Sequence, residues 1–581
     1  MESVRKKRRA PLPPPLRQSI SKEAARAQNE HSVLGGKSAG ARIGLLRNVG
    51  CRLGALRHCA LSSVQRFERA SRRVRPFSDA HDPMKLRKAC LLLVGSVGAL
   101  LLIGGSIILG ILPNFVRNGV LEAISLSNGS KAEKGWIDPP YEMSMQVWFF
   151  NITNPDEVML YQAKPSLVEM GPYGFDERQH KVAVTYYDNG TIGYQNFKWF
   201  QFNASKSCDH CRLSDVVNVP NVPFWSLLHK LRRSGSMPKL KKFISYGLLG
   251  VGEGAFITKS VDALLFTGYN DIIFAMAKMF HWLSPDTKVP DRMGFMYGKN
   301  WTLDGAYLMN SGQANYLERG RLELYKGRSS VDAWVDVWSN MINGSDGTVY
   351  PPFLERTSRL PLFSPDLCRS LYMDYLKDVR SGELNAYRFT VPAEVFDDKR
   401  AENAGFCWPT DVYYPEIQKV EYSTGLACLP SGLLNVSKCQ MDAPIVLSSP
   451  HFLYASDVVQ NSVFGLRPNV EEHTTRIDIE PVSSVGLEFQ RKLQINVGMV
   501  QDGDFSTLKR MRSVIMPVLW LNESAYLNAE ARRDIWQRLF LPRLVAKIVG
   551  SALITTGVIS ILLAIGLFFF YRRIQEKQET I

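Results

Sequence analysis

The sequence predicts a membrane protein in which two transmembrane helices enclose a large, β-rich exterior domain. Three observations predict it. Residues 89–112 (ACLLLVGSVGALLLIGGSIILGIL) and 548–570 (IVGSALITTGVISILLAIGLFFF) contain no charge, and each is long enough for a helix across a hydrocarbon core of roughly 30 Å. Eight Asn-x-Ser/Thr sequons lie between these stretches and none lies outside them. The same interval is rich in short alternating apolar–polar runs, the pattern of half-buried strands.

The first apolar stretch is too long and too far from Met1 to read as a cleavable signal. Lys85, Arg87 and Lys88 precede it, and Arg572 and Arg573 follow the second stretch. Positive residues at these flanks place both ends in the cytosol and residues 113–547 outside it. The sequons Asn128, Asn151, Asn189, Asn203, Asn300, Asn343, Asn435 and Asn522 are therefore candidate glycan acceptors. Six cysteines share this exterior segment: Cys208, Cys211, Cys368, Cys407, Cys428 and Cys439. An even number in an oxidising compartment predicts disulfides, with 15 pairings open from spacing alone.

Charge is unevenly distributed. The chain of 581 residues carries a net +15, yet residues 1–84 alone hold 18 Lys/Arg against 6 Asp/Glu. The exterior body is left close to neutral, which excludes a nucleic-acid-binding body. Residues 1–84 read as a disordered basic cytosolic extension, Arg-rich and with Pro-rich PLPPP at 11–15. Met84 offers an alternative start, with a short basic lead into the first span. Residues 571–581 form a short cytosolic tail. GKSAG (36–40) and GVGEGA (250–255) fit enzyme fingerprints formally but lack their strand and helix contexts.

Within the body, Val182, Val184 and Tyr186 alternate before DNGT, and Ile192 and Tyr194 alternate after it, a hairpin turning at Asn189-Gly190. APIVLSS, TRIDIEP, LQINVGMV and SVIMPVLWL read as further strands. One region differs. Phe224, Leu227, Leu228 and Leu231 fall at helical spacing, as do Leu240, Phe243, Ile244 and Leu248, and then Ile257, Val261, Leu264 and Leu265. Three short helices are expected there. Lys230, Arg232, Arg233, Lys239, Lys241 and Lys242 cluster where the first two meet, and no Asp or Glu occurs from Val216 to Gly252. That run is a candidate surface for anionic ligands.

The chain resembles the class B scavenger receptors. The stretches that carry the resemblance are MGPYGF (170–175), VNVPNVPFW (217–225), MINGSDGTVYPPF (341–353), LFSPDLCRSLY (362–372), GLLNVSKCQMDAPIVLSSPHFLYA (432–455), GLRPNVEEHTTRIDIEP (465–481) and MPVLWLNES (516–524). It runs from about residue 85 to about 573; residues 1–84 have no counterpart. The resemblance implies a large antiparallel β-barrel-like ectodomain with a membrane-distal helical bundle at about 219–285 and an internal lipid tunnel. It also implies the disulfides Cys368–Cys439 and Cys407–Cys428, whose loops are each worth roughly 3–5 kcal/mol. Cys208 and Cys211 depart from the best-known members, and a small-loop disulfide is expected between them.

The implied function is capture of lipoproteins, phospholipids, fatty acids or other anionic lipid-bearing particles at the cationic helices, with lipid then passing through the tunnel to the membrane, or endocytosis. No catalytic residue, metal or cofactor is expected. The tail lacks a Leu-Leu or Leu-Ile pair, which favours the plasma membrane; a lysosomal or endosomal protein is the alternative. A two-span ion channel fits less well, because the spans carry only scattered Ser and Thr. Gly95 with Ala99, and Ser106 with Gly110, provide spacing for helix packing. Cys90, at the inner edge of the first span, is a candidate palmitoyl acceptor. Homo-oligomer formation is left open.

Overall fold

The computed structural model describes residues 83–233, 235–279, 289–407 and 428–579; most of the basic extension and the last two residues lie outside them. Residues Met1–Cys90 and Leu91–Ile581 form two units, and of the first only the start of a helix is described. That helix, α1 (Pro83–Ala123), carries the first apolar span.

Along the exterior domain follow β1 (Tyr141–Ile152), β2 (Leu167–Tyr186), β3 (Thr191–Phe202), β4 (Val216–Pro220), helices α2 (Val222–Arg233) and α3 (Pro238–Gly250), β5 (Phe256–Ser260), and helices α4 (Val261–Leu265) and α5 (Ile272–Met279). Ten strands complete it: β6 (Thr302–Asn310), β7 (Leu322–Tyr325), β8 (Arg359–Ser364), β9 (Arg369–Ser381), β10 (Leu384–Thr390), β11 (Leu433–Asn435), β12 (Ile445–Ser448), β13 (Arg476–Ile479), β14 (Gly486–Met499) and β15 (Val514–Leu527). Helix α6 (Leu541–Glu579) carries the second span.

Thirteen strands form one antiparallel sheet, in the order β7-β6-β3-β2-β1-β15-β14-β13-β10-β9-β8, with β12 and β11 branching from β14. Alternation drives it. In β1, Met143, Met145, Val147 and Phe149 are buried while their neighbours Ser144, Gln146 and Trp148 keep some access to water, the period-2 signature of a strand with one core face. The sheet curls until its edges almost meet. Gly344 and Ser345 bridge the gap: Leu322 N donates to Gly344 O (2.8 Å), and Ser345 N donates to Pro361 O (3.0 Å). Such closure removes the exposed edges that a long sheet would otherwise present.

The hairpin at Asn189-Gly190 is present, with β2 ending at Tyr186 and β3 starting at Thr191. The helical region differs from expectation in two places. Ile257 lies in β5, where it pairs with Val219 of β4, so the third helix begins only at Val261. A further helix, α5, was not foreseen. A β-branched residue at i, i+4 spacing satisfies both periods, and the pairing with β4 across some 40 residues decides between them.

The two spans pack on each other through glycines. A Cβ at Gly98 would meet Gly557 O at 3.0 Å, and one at Gly557 would meet Leu102 N at 2.8 Å; Gly105 and Gly550 lie on the same seam. The seam is Gly98/Gly105 against Gly550/Gly557, whereas Ser106 and Gly110 face away. Backbone approach this close requires residues without side chains.

Candidate functional site

The helices α2 to α4 and the β4–β5 ribbon pack over the end of the barrel where β1 finishes. Asn218 N donates to Asn151 Oδ1 (2.9 Å), and Phe266 packs on Phe175 and Phe200 at ring distances of 5.1 and 5.7 Å. The opposite end of β1 pairs with β15 at Tyr141–Leu527, just before the chain enters the helix toward the second span.

The six candidate cations sit at the α2–α3 junction, but they are not equivalent. Arg233 pairs with Asp442 (2.6 Å), and Lys241 pairs with Asp502 (3.3 Å) and lies 4.0 Å from Asp504. Arg232 donates to Gln501 O (3.1 Å). The carboxylates missing from the local sequence are thus supplied from far along the chain. Lys230, Lys239 and Lys242 are exposed. The loop 500–513 that brings Asp502 and Asp504 also brings Lys509 and Arg510, both exposed. It is held to the helices by Phe224–Phe505 ring packing and by the Ser245–Ser506 hydroxyl pair (3.2 Å). Sequence reading missed these two cations because only the fold brings them near residue 240.

Helix α3 also reverses part of its expected face. Leu248 is buried and Ile244 partly so, yet Leu240 is exposed and Phe243 is 77% exposed, beside exposed Met237 and Tyr246. Cations and large apolar side chains therefore share one surface.

The structure joins Cys208 to Cys211, Cys368 to Cys439 and Cys407 to Cys428, with Cα separations of 5.1, 6.5 and 4.5 Å. Cys90 is free and exposed. The sequon asparagines divide by environment. Asn128, Asn189 and Asn343 are exposed, Asn151, Asn203, Asn300 and Asn522 are partly covered, and Asn435 is buried. Asn300 is engaged on both amide atoms, Nδ2 donating to Phe200 O and Oδ1 accepting from Phe200 N.

A second constellation lies on the inner face of the barrel. Residues opposite one another in an antiparallel pair share a face. The register places Arg491 opposite Glu523, Glu523 opposite Met145, Glu177 opposite Met143, and Gln179 opposite Lys198. Arg491 bridges two carboxylates, Nη1 donating to Asp366 (2.6 Å) and Nη2 to Glu523 (2.7 Å). Lys299 lies 3.7 Å from Asp366, and Lys198 4.0 Å from Asp304. Burial opposes ionisation of Asp366, but the charges of Arg491 and Lys299 outweigh it and hold the carboxyl below its usual range. Glu177 has the reverse balance: burial and then the charge of Glu523 push its pKa up to about 7. In the sequence, these charges are scattered over five strands and two loops, a pattern that reads as a solvent face.

Glu177 supplies a pH-dependent prediction. Its folded-state pKa exceeds the unfolded value, so charging it costs stability above about pH 7 and the cost fades as pH drops through 7 toward 4.5. Glu177→Gln is expected to stabilise the protein by roughly 3 kcal/mol at alkaline pH. Thermal melts at pH 8 and pH 5 should show the gain at the first and little at the second; equal loss at both would contradict the burial of a strained carboxylate.

The CD36 family model matches residues 96–568. Human lysosome membrane protein 2 is 31% identical over 490 residues, covering 83% of this chain and 94% of that protein. The rat protein of the same name is 30% identical over 487 residues, with the same coverage. Pig scavenger receptor class B member 1 is 28% identical over 487 residues, covering 83% of this chain and 90% of that protein. A family match that runs from within the first span, through the whole β-domain, to within the second, with disulfide-joined cysteines in between, places the chain: it belongs to the CD36 family.

Proposed function

We propose that this protein is a class B scavenger receptor that captures anionic, lipid-bearing particles at its membrane-distal tip and passes lipid through the barrel to the membrane. One observation carries this reading. Exposed cations from two segments some 270 residues apart converge over the barrel end, Lys230, Arg233, Lys239 and Lys242 on the helices and Lys509 and Arg510 on the loop packed against them. Positive charge steers anionic particles, and Phe243, Leu240 and Met237 provide apolar contact with a lipid surface once the particle arrives. Within the barrel, removal of acyl chain from water would favour uptake by roughly 0.8 kcal/mol per methylene.

A double-labelled lipoprotein, lipid in one colour and protein in the other, tests the reading in cells expressing the full chain. Lipid label is expected to exceed protein label. Equal accumulation of both would replace transfer by whole-particle endocytosis. A second reading, an endolysosomal membrane protein acting in trafficking or lipid export, is favoured by the likeness to lysosome membrane protein 2. Absence from the cell surface with residence in lysosomes would bring that reading forward.

A further inference from the structure

The charged belt of the barrel bears on which lipids pass. Along the inner face the lining changes twice. Toward the tip it is apolar, with Tyr173, Phe175, Leu519 and Leu521. Toward the opposite end it is apolar again, with Phe389, Ile477 and Phe489. Between them stand three cations, Lys198, Lys299 and Arg491, against four carboxylates, Glu177, Asp304, Asp366 and Glu523.

Two features make this belt more than a static ion network. The charges nearly balance, more closely still when Glu177 holds its proton, so the belt has little net pull on an ion of either sign. Water also reaches it. The side chains of Arg491 and Lys198 each retain 27% of their exposure and Asp366 retains 40%, although Arg491 and Lys198 face inward. The Nε of Arg491 is buried and finds no hydrogen-bond partner among the described residues. A hydrated, charge-balanced ring accepts a hydrogen-bonding headgroup in place of water at its exposed charges. An apolar body sliding past would strip that water and return nothing.

We propose that the belt is a headgroup filter. It admits single-chain amphiphiles with a polar head, such as fatty acids and lysophospholipids, and rejects lipids without one, such as steryl esters. Arg491, Asp366 and Glu523 set the discrimination. The proposal rests on the conduit reading given above.

The test uses full-length protein in proteoliposomes, with donor vesicles carrying either a pyrene-labelled fatty acid or a pyrene-labelled cholesteryl ester. Wild type is expected to move the fatty acid at least about tenfold faster than the ester. The variant Asp366→Asn/Arg491→Met/Glu523→Gln removes the three linked charges together. It should raise ester transfer about tenfold while fatty-acid transfer changes little. If that variant does not fold, Glu177→Gln with Lys198→Met on the facing strands must shift the ratio in the same direction. Equal wild-type rates for the two lipids, or a ratio unmoved by a folded variant, overturn the filter alone. Capture of particles with transfer of neither lipid overturns the conduit, and the filter with it.

Discussion

Changing Lys239, Lys242, Lys509 and Arg510 to Glu is expected to abolish particle capture while leaving the fold intact. All four are exposed, so no buried pair is broken. The change reverses the field at the tip, and association with anionic vesicles should fall by more than about tenfold at low salt. The difference should shrink toward ~1 M salt, where the screening length is about 3 Å. Reversing all six residues of the 230–242 cluster would be a poorer test. Lys241 is largely covered and faces a buried Asp502, so a Glu there would place two carboxylates together and confuse unfolding with lost capture. Stopped-flow association at two salt concentrations measures the effect, and unchanged rates would assign recognition elsewhere.

Gly344→Val is expected to prevent the barrel from closing. Gly344 has φ +89°, and a Cβ there would collide with the backbone of Pro361. Its carbonyl takes the Leu322 N–H and its neighbour Ser345 pairs with β8, so the collision falls on the segment that joins the two sheet edges. A left-handed backbone and a backbone collision together should cost at least about 3 kcal/mol. Gly347 is the internal control. Its φ is +91° but nothing lies within 4 Å of its Cβ position, so Gly347→Ala should cost only about 1 kcal/mol. Thermal melts and the surface-delivered fraction distinguish the two; similar losses would mean that closure at Gly344 is unimportant. The Asn343 sequon is kept in Gly344→Val, so a loss reports sterics and not a missing glycan acceptor.

What the sequence discloses follows from the range of the interaction that decides each feature. The spans, the hairpin at Asn189 and strands such as Arg476–Ile479 are set by composition and period-2 pattern within a few residues, and they were legible. Ile257 was not, because its pattern fits helix and strand and only distant β4 decides. The cation cluster was visible, but its charge was overstated: Asp442, Asp502 and Asp504 join it from over 200 residues away, as do Lys509 and Arg510. The interior belt was invisible for the same reason. Arg491, Glu523, Glu177 and Lys198 come from four strands, and only the register turns their side chains to one face. The glycine seam shows a subtler limit. Small residues near Ser106 looked equally suited to packing, and only the partner helix selects Gly98 and Gly105.

The central claim is that lipid travels inside the barrel, and a blockade there tests it most directly. Leu493 lies on the inner face next to Arg491, opposite Leu521, and is only partly buried. A Leu493→Cys protein, folded first and then treated with a bulky methanethiosulfonate, should react, should still bind lipoprotein at the tip, and should lose lipid transfer. Binding and transfer both unchanged after full modification would contradict the account, as would a thiol at 493 that no reagent reaches.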